Sequence, residues 1–233
     1  MQGIRPVINL WSNSEPIQST SIAWGVTSTF NAITWPRWFM ASMARTKYVC
    51  IIDDDLILRD GAVLGDAISR LALQPPGTVV GASGIILRDG KPYRDSEQLN
   101  VKDRATTADR WCDLVKGEFM LMRTEELRAC NWTASIGWTK EDDIAVCAAM
   151  SRGNRLAHVC LSSMTNRFTA LDAPHALWRQ PGHFERRTEA CERLFRGYKQ
   201  NPNAVVAPRA RSADISSVAI AGAADGQAHP SCR

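Results

Sequence analysis

The feature that most constrains the fold of this chain is a short apolar run, residues 47–52, which ends abruptly in three consecutive aspartates. An unbroken apolar run of strand length is typical of a central strand covered on both faces, as in α/β sheets. A helix is predicted next, because Asp60 and Gly61 are helix-start residues and the apolar residues up to about Leu73 recur at helical spacing. Alternation of strands and helices predicts an α/β domain with a mostly parallel central sheet flanked by helices.

The same alternation continues to residue 198. Strands are predicted at residues 6–11, 78–82, 85–87, 114–122 and 156–161. Helices are predicted at residues 36–45, 124–129, 141–150 and 185–196. In the first of these helices Trp38, Phe39 and Met43 are expected to share a face. Residues 88–110 are polar and turn-rich, which favours an exposed loop or a weak hairpin.

The last 35 residues differ in composition from the rest of the chain. Residues 199–233 are rich in Ala, Ser, Gly and Pro and show no periodicity. Such a segment cannot bury enough apolar surface to offset the entropy of ordering it. We therefore expect one domain over residues 1–198 and a disordered tail over residues 199–233.

Composition argues against several classes of protein. With 45% apolar and 22% charged residues, the chain is not disordered overall. Its net charge of +4 and its scattered basic residues argue against nucleic acid as a partner. The longest uncharged stretch, residues 16–36, is too rich in Ser, Thr, Asn and Gln to be a membrane span. The seven cysteines have no C-x-x-C spacing, which argues against structural zinc, and their odd number leaves at least one thiol free.

The three aspartates, Asp53, Asp54 and Asp55, follow a buried strand, at the point where open α/β sheets bind ligands. Unpaired carboxylates would repel one another, and a hard divalent cation relieves that repulsion. Oxygen-only ligands favour Mg²⁺ or Mn²⁺, which takes its remaining ligands from water and a diphosphate, as in the D-x-D motif of nucleotide-sugar transferases. The alternatives are a solvated acidic turn and a calcium loop, but an EF-hand needs Gly at its sixth position, where Leu58 stands.

Two further segments carry candidate site residues. Glu141, Asp142 and Asp143 open a predicted helix, where acidic residues are common because they complement its positive end. The alternative is a second carboxylate group that faces the metal site. Arg186 and Arg187 are either solvated charges at a helix start or contacts to a diphosphate, for which the fixed fork of arginine donors is suited. The local sequence leaves both choices open.

Taken in order, these motifs resemble a known family. The order is W-x-N at residues 11–13, Asn31 with Arg37 shortly after it, D-D-D, a glycine-containing strand, D-D-I-A, T-A-L-D and H-F-x-x-R. This order resembles the exostosin-type glycosyltransferases, glycosyltransferase family 64, which are the catalytic modules of the heparan sulfate-synthesising exostosins and their exostosin-like relatives. The resemblance covers residues 4–198, almost the whole predicted domain.

The resemblance implies the GT-A fold of nucleotide-diphospho-sugar transferases and retaining transfer of an N-acetylhexosamine from a UDP-sugar with Mn²⁺, or with Mg²⁺. It makes Asp55 the metal ligand. It makes Asp143 and Arg187 the catalytic residues, with Asp143 at the transferred sugar and Arg187 at the diphosphate of the donor. On one helix face, Arg187 is expected to align with His183 and Cys191, while Arg186 leans toward Arg193 and solvent. The residues implied to bind the donor are Asn13, Asn31, Arg37, Asp53, Asp54 and Asp142.

The chain also departs from the family pattern. A counterpart of the family's first strand, which ends in T-Y-[DN]-R, is expected to be missing. Two cysteines that are bonded to each other in the family are replaced here by Glu141 and Ala190, so that disulfide is not expected. The family's L-T-G-A-A-F strand reads V-K-G-E-F at residues 115–119, and the two charges predict a different acceptor.

These observations predict a retaining, metal-dependent transferase of a hexose or N-acetylhexosamine (GlcNAc or GalNAc) from a UDP-sugar to a glycan or glycoconjugate. Two alternatives stay open. One is an inverting GT-A transferase in which Asp143 is the general base, and the other is a catalytically silent relative that binds a UDP-sugar or a glycan. The resemblance also implies the Golgi or ER lumen and allows a homodimer or a heterodimer.

Overall fold

A computed structural model of the protein describes residues 9–13, 24–28, 34–135, 140–171 and 177–198, and these form a mixed α/β arrangement. The described strands are β1 (Asn9–Asn13), β2 (Trp24–Ser28), β3 (Tyr48–Ile52), β4 (Leu56–Leu58), β5 (Val80–Gly81), β6 (Gly84–Ile86), β7 (Glu97–Leu99), β8 (Arg110–Cys112), β9 (Leu114–Val115), β10 (Phe119–Arg123), β11 (His158–Cys160) and β12 (Phe168–Ala170). The described helices are α1 (Pro36–Met43), α2 (Ala62–Ala72), α3 (Thr124–Ala129), α4 (Asp142–Met150) and α5 (His183–Leu194). None of these helices combines the length and the apolar character that crossing a membrane requires.

The main sheet has five strands in the order β3-β10-β5-β11-β8. β10 pairs antiparallel with β3 and β5, whereas β11 pairs parallel with β5 and antiparallel with β8. Within the described residues the sheet is therefore mostly antiparallel, which corrects the predicted mostly parallel sheet, and β3 lies at an edge rather than in the centre. The coarser prediction, a mixture of helices and a β-sheet, is confirmed. The prediction of a mostly parallel sheet failed because an apolar run indicates only that a strand is buried. It does not indicate whether the neighbouring strands run parallel or antiparallel to it.

β10 forms the centre of the core. Its residues Phe119, Met120, Leu121 and Met122 are almost completely buried. Alternate side chains of a strand point to opposite faces of the sheet. Phe119 and Leu121 accordingly pack in a cluster with residues of α2, while Met120 and Met122 pack in a second cluster with residues of α1, α3, α4 and α5. Helices thus cover both faces of the sheet.

Local sequence explains where α1 and α2 begin, close to their predicted positions. Pro36 occupies the first turn of α1, where its fixed φ suits a helix start and its missing N–H costs nothing. The carboxylate of Asp60 accepts hydrogen bonds from the N–H groups of Ala62 and Val63, at 2.9 and 3.2 Å, and so caps α2.

The buried face of α1 differs from the prediction. Trp38 is completely buried, but Phe39 and Met43 are 46% and 62% exposed. The second buried side chain one turn along is Ala41. Trp38 therefore faces the core, whereas Phe39 and Met43 lie on another side of the helix. The spacing of apolar residues could not distinguish these two faces because both contain apolar side chains.

The segment at residues 88–110 contains more structure than an exposed loop. β7 pairs antiparallel with β6, which agrees with the hairpin alternative. Tyr93, Leu99 and Val101 are buried. The segment contains too few apolar residues to give a periodic signal in the sequence. The few that it has pack in the core and anchor the segment there.

Two further predictions concern the C-terminal tail and the cysteines. The predicted disordered tail, residues 199–233, lies outside the described residues. All six cysteines in the described part of the chain carry free thiols. Glu141 and Ala190, which replace the bonded cysteines of the family pattern, are both buried.

His158, at the start of β11, is a completely buried histidine that must stay neutral. Its Nδ1 atom accepts a hydrogen bond from the N–H of Val79 at 3.0 Å. Nε2 therefore carries the proton and donates it to the carbonyl oxygen of Cys147 at 2.9 Å. Burial lowers the pKa of His158 to about 4, and the bond to Cys147 opposes that shift.

We expect stability to fall as the pH drops from about 7.5 to 5, because unfolded His158 gains a proton near pH 6.5 whereas folded His158 does not. The loss from this residue is about 2 kcal/mol over that range. Urea unfolding of the wild type and of His158→Gln at both pH values measures it. The variant should lose about 2 kcal/mol less than the wild type, and equal losses would show that His158 is not the titrating group.

Candidate functional site

The aspartate triplet lies where β3 ends and β10 begins, because these two strands are antiparallel neighbours. The N–H of Asp53 donates to the carbonyl oxygen of Glu118 at 3.0 Å, just before β10. β4 follows the triplet and pairs with β12. The N–H of Leu171, within the T-A-L-D segment, donates to the carbonyl oxygen of Asp55 at 2.7 Å. The strand pairings therefore hold three sequence segments around the triplet.

Arg37, in the first turn of α1, joins the two acidic segments. Its Nη1 atom donates to Asp53 at 2.5 Å. Its Nε and Nη2 atoms both donate to Oδ2 of Asp142, at 3.0 and 2.7 Å. The side chain of Arg37 is 20% exposed and that of Asp142 is 3% exposed. Burial alone would lower the pKa of Arg37, but the charges of Asp142 and Asp53 raise it, so the guanidinium stays charged.

Asp143 and Arg187 form a buried, bidentate ion pair between α4 and α5. Arg187 donates from Nη1 to Oδ1 at 3.0 Å and from Nη2 to Oδ2 at 2.7 Å. The N–H of Ile144 adds a bond to Oδ1 at 2.9 Å. The guanidinium also lies 4.7 Å from the ring centre of Tyr93, at cation–π distance. Burial alone would raise the pKa of Asp143, but the charge and hydrogen bonds of Arg187 hold it below its ordinary value.

A third pair lies beside the other two. Glu141, which precedes α4, is buried and accepts a hydrogen bond from Nε of Arg186 at 3.1 Å. Arg186 is 38% exposed and also donates to the carbonyl oxygen of Pro181. Three consecutive acidic residues at the start of α4 therefore each bind a different arginine. Their negative charges also complement the positive end of the helix.

Asp53 carries the clearest electrostatic signal of the triplet. Burial raises its pKa to about 6, and the charges of Asp142, Asp55 and Asp143 add to that rise, while Arg37 opposes it. The carboxylates of both acidic segments are therefore close enough to influence one another. A cation bound among them would reduce this repulsion.

The described residues fit a cation that takes most of its ligands from other molecules. No group of three His, Cys, Asp or Glu side chains in the described ranges could hold a metal alone. Asp55 is half-buried, and its carboxylate has no hydrogen-bond partner among the described side and main chains. Mg²⁺ and Mn²⁺ prefer such oxygen ligands and commonly use one or two carboxylates plus phosphate oxygens and water. Asp55 suits that coordination, whereas Asp54 is exposed.

Gly117 explains how Arg37 reaches both acidic segments. A Cβ atom on Gly117 would lie 2.8 Å from Nη2 of Arg37, too close for unbonded heavy atoms. The absence of a side chain therefore leaves the space in which the guanidinium reaches Asp53 and Asp142.

The structure brings five predicted site residues together, namely Arg37, Asp53, Asp142, Asp143 and Arg187. Asp55 lies beside them, and exposed Asp54 makes no hydrogen bond within the described part of the chain. The backbone of Asn13 ends β1, but its side chain lies outside the description, as does all of Asn31. The functional roles of these residues stay predictions.

The two neighbouring arginines of α5, Arg186 and Arg187, bind different partners. Arg187, His183 and Cys191 are all buried, as predicted for one helix face. Arg186 was expected to lean toward Arg193 and solvent, which is wrong, because it turns to Glu141 instead. Arg187 was expected at a diphosphate, but within the structure its two Nη atoms bind Asp143.

Sequence reasoning missed three residues of the site. The indole N–H of Trp38 donates to Oδ2 of Asp142 at 2.5 Å. Tyr93 stacks on Arg187 from a segment that was expected to be an exposed loop. Glu141 was part of the predicted acidic segment but was not named as a site residue. A tryptophan directly after the predicted donor-binding Arg37 was the one local signal available.

Comparison with known proteins assigns no family. No protein-family model matches the chain, and no curated protein matches it significantly. The function is therefore inferred from the residues of the site.

Proposed function

We propose that this chain is a metal-dependent GT-A-type glycosyltransferase of the exostosin kind, which moves a hexose or N-acetylhexosamine from a UDP-sugar to a glycan or glycoconjugate hydroxyl. The observation that supports it most is Arg37, which binds Asp53 of the triplet and Asp142 of the second acidic segment at once. The resemblance required these distant segments to share one site. It also implies a GT-A core, the lumen of the Golgi or ER, and function in pairs.

The charge balance of the site supports a cation and a diphosphate. The two aspartate segments contribute five carboxylates, those of Asp53–Asp55, Asp142 and Asp143, and two guanidinium groups bind to them, those of Arg37 and Arg187. A diphosphate would be repelled by such a site unless a divalent cation accompanied it. Neither Asp54 nor Asp55 has a partner for its carboxylate among the described residues, but Asp54 is exposed whereas Asp55 is half-buried, so we assign the cation to Asp55.

In the proposed reaction Asp55 would hold the divalent cation, which when bound would neutralise negative charge on the departing UDP. Asp143 stays ionised because Arg187 binds both of its oxygens. Its negative charge stabilises the positive character of the sugar carbon during transfer. Arg187 thus acts mainly through Asp143, by holding it ionised and fixed in direction.

The same pair favours the retaining over the inverting alternative. A general base must accept a proton readily at the working pH. The pKa of Asp143 is held below its ordinary value, and both oxygens are engaged by Arg187. Asp143 is therefore better suited to stabilising charge than to deprotonating an acceptor.

The full chain tests the proposal directly. Calorimetry should show UDP binding with Mn²⁺ and none with excess EDTA. A UDP-release assay over UDP-GlcNAc, UDP-GalNAc, UDP-glucose and UDP-galactose, with and without glycan acceptors, should find at least one active donor. Metal-dependent binding without release or transfer would support the silent relative, and no binding of UDP would overturn the proposal. The anomeric configuration of a product, read by NMR, separates retention from inversion.

A further inference from the structure

Trp38 is a buried tryptophan whose one polar atom is directed at the candidate site. It lies in α1, directly after Arg37, and its side chain is completely buried in the core cluster that contains Met120 and Ile144. Its indole N–H donates to Oδ2 of Asp142 at 2.5 Å. The indole has a single N–H, and within the described residues Asp142 is the acceptor of its hydrogen bond.

The two oxygens of Asp142 have different environments. Oδ2 accepts three hydrogen bonds, two from Arg37 and one from Trp38. Oδ1 accepts none from the residues that the structure describes. Asp142 as a whole is only 2% exposed, but Oδ1 is not among the fully buried polar atoms that lack a partner. Its lone pairs can therefore accept a hydrogen bond from a ligand hydroxyl.

We propose that Trp38 is a positioning residue, which fixes the Asp142 carboxylate so that Oδ1 accepts a hydrogen bond from a hydroxyl of the donor sugar. This inference rests on the proposed function. Arg37 also binds Asp53, so the position of its guanidinium depends on two carboxylates. Among the described residues the Trp38 indole donates to Asp142 alone, and its ring packs in the core. It therefore sets the direction of Asp142 independently of changes at the aspartate triplet.

Trp35 provides a matched control one turn earlier in the chain. It is also buried, at 6% exposure, but its indole N–H has no hydrogen-bond partner within the described residues. Trp38→Phe and Trp35→Phe make the same chemical change. Only the first removes a hydrogen bond to the site.

The test compares the affinities of UDP and of the best UDP-sugar, measured by calorimetry with Mn²⁺. A hydrogen bond to the sugar affects only the second ligand. Trp38→Phe should weaken UDP-sugar binding about tenfold relative to UDP, a loss of about 1.4 kcal/mol. Trp35→Phe should leave the ratio of the two affinities unchanged. A loss of packing alone would move both affinities together, and an unchanged ratio in Trp38→Phe would overturn the inference.

Two further measurements keep the inference separate from the proposed function. In the wild type, the NMR signal of the Trp38 indole N–H should shift more with the UDP-sugar than with UDP, and equal shifts would contradict the inference even if Trp38→Phe failed to fold. If no UDP-sugar binds, the proposed function fails. The crystal structure of Trp38→Phe then tests whether Trp38 orients the Asp142 carboxylate. An unchanged orientation of this carboxylate in the variant would contradict the inference.

Discussion

Arg187→Ala is expected to destabilise the fold by about 3 to 5 kcal/mol and to abolish sugar transfer. The side chains of Arg187 and Asp143 are only 6% and 7% exposed. Removing the guanidinium leaves a buried carboxylate without its counter-charge, which costs more than the pair itself contributes. The loss of transfer follows because Asp143 is then neither held ionised nor fixed in direction. Urea unfolding and the UDP-release assay measure the two effects.

Two control variants test whether the loss of stability in Arg187→Ala comes from leaving a buried carboxylate without its counter-charge. Arg193→Ala removes an arginine that is 66% exposed and pairs with exposed Glu189, so its stability should change by less than about 1 kcal/mol. The double variant Arg187→Met/Asp143→Leu should regain much of the stability but no activity, because apolar residues of similar size replace buried pairs well. A stable Arg187→Ala variant would contradict the assignment of a tight buried pair.

The second large effect is expected at Asp55. Asp55→Asn should weaken UDP binding in the presence of Mn²⁺ by about 100-fold or more, since the amide loses the charge that the cation requires. Stability should hardly change, because the Asp55 carboxylate has no hydrogen-bond partner among the described residues. Calorimetry with Mn²⁺ and with EDTA measures the effect.

Asp54→Asn is the matched control for Asp55→Asn. Asp54 is the exposed neighbour in the same triplet, and it should tolerate the change within a few-fold. If both variants lose binding equally, the cation is shared by the triplet rather than held by Asp55. If neither does, the metal assignment is wrong.

Local patterns in the sequence were sufficient for the elements that carry the site. The apolar run before Asp53 predicted β3, and the acidic start at residue 141 predicted α4. The four-residue spacing from His183 to Arg187 predicted a buried position for the arginine. In each case the signal is local, namely an apolar run, an acidic helix start or a helical spacing.

Partners across the fold could not be read in this way. The antiparallel insertion of β10 between β3 and β5 depends on long-range packing, and so does the bond from Trp38 to Asp142. Arg186 was expected in solvent because a helix pattern identifies a less buried face but not the residue of another element that lies there. Sequence periodicity reports burial, whereas ion-pair partners are set by tertiary structure.

The three acidic residues at the start of α4 also make this segment intolerant of changes in length. Asp142 and Asp143 point in different directions because successive helical residues are rotated by about 100°, and Glu141 precedes the helix with a non-helical backbone. Each meets an arginine fixed in position by another part of the fold. A single inserted or deleted residue here would rotate all three carboxylates away from their partners together. Changes in length within this segment are therefore expected to break all three ion pairs at once, whereas a substitution at one position breaks only one.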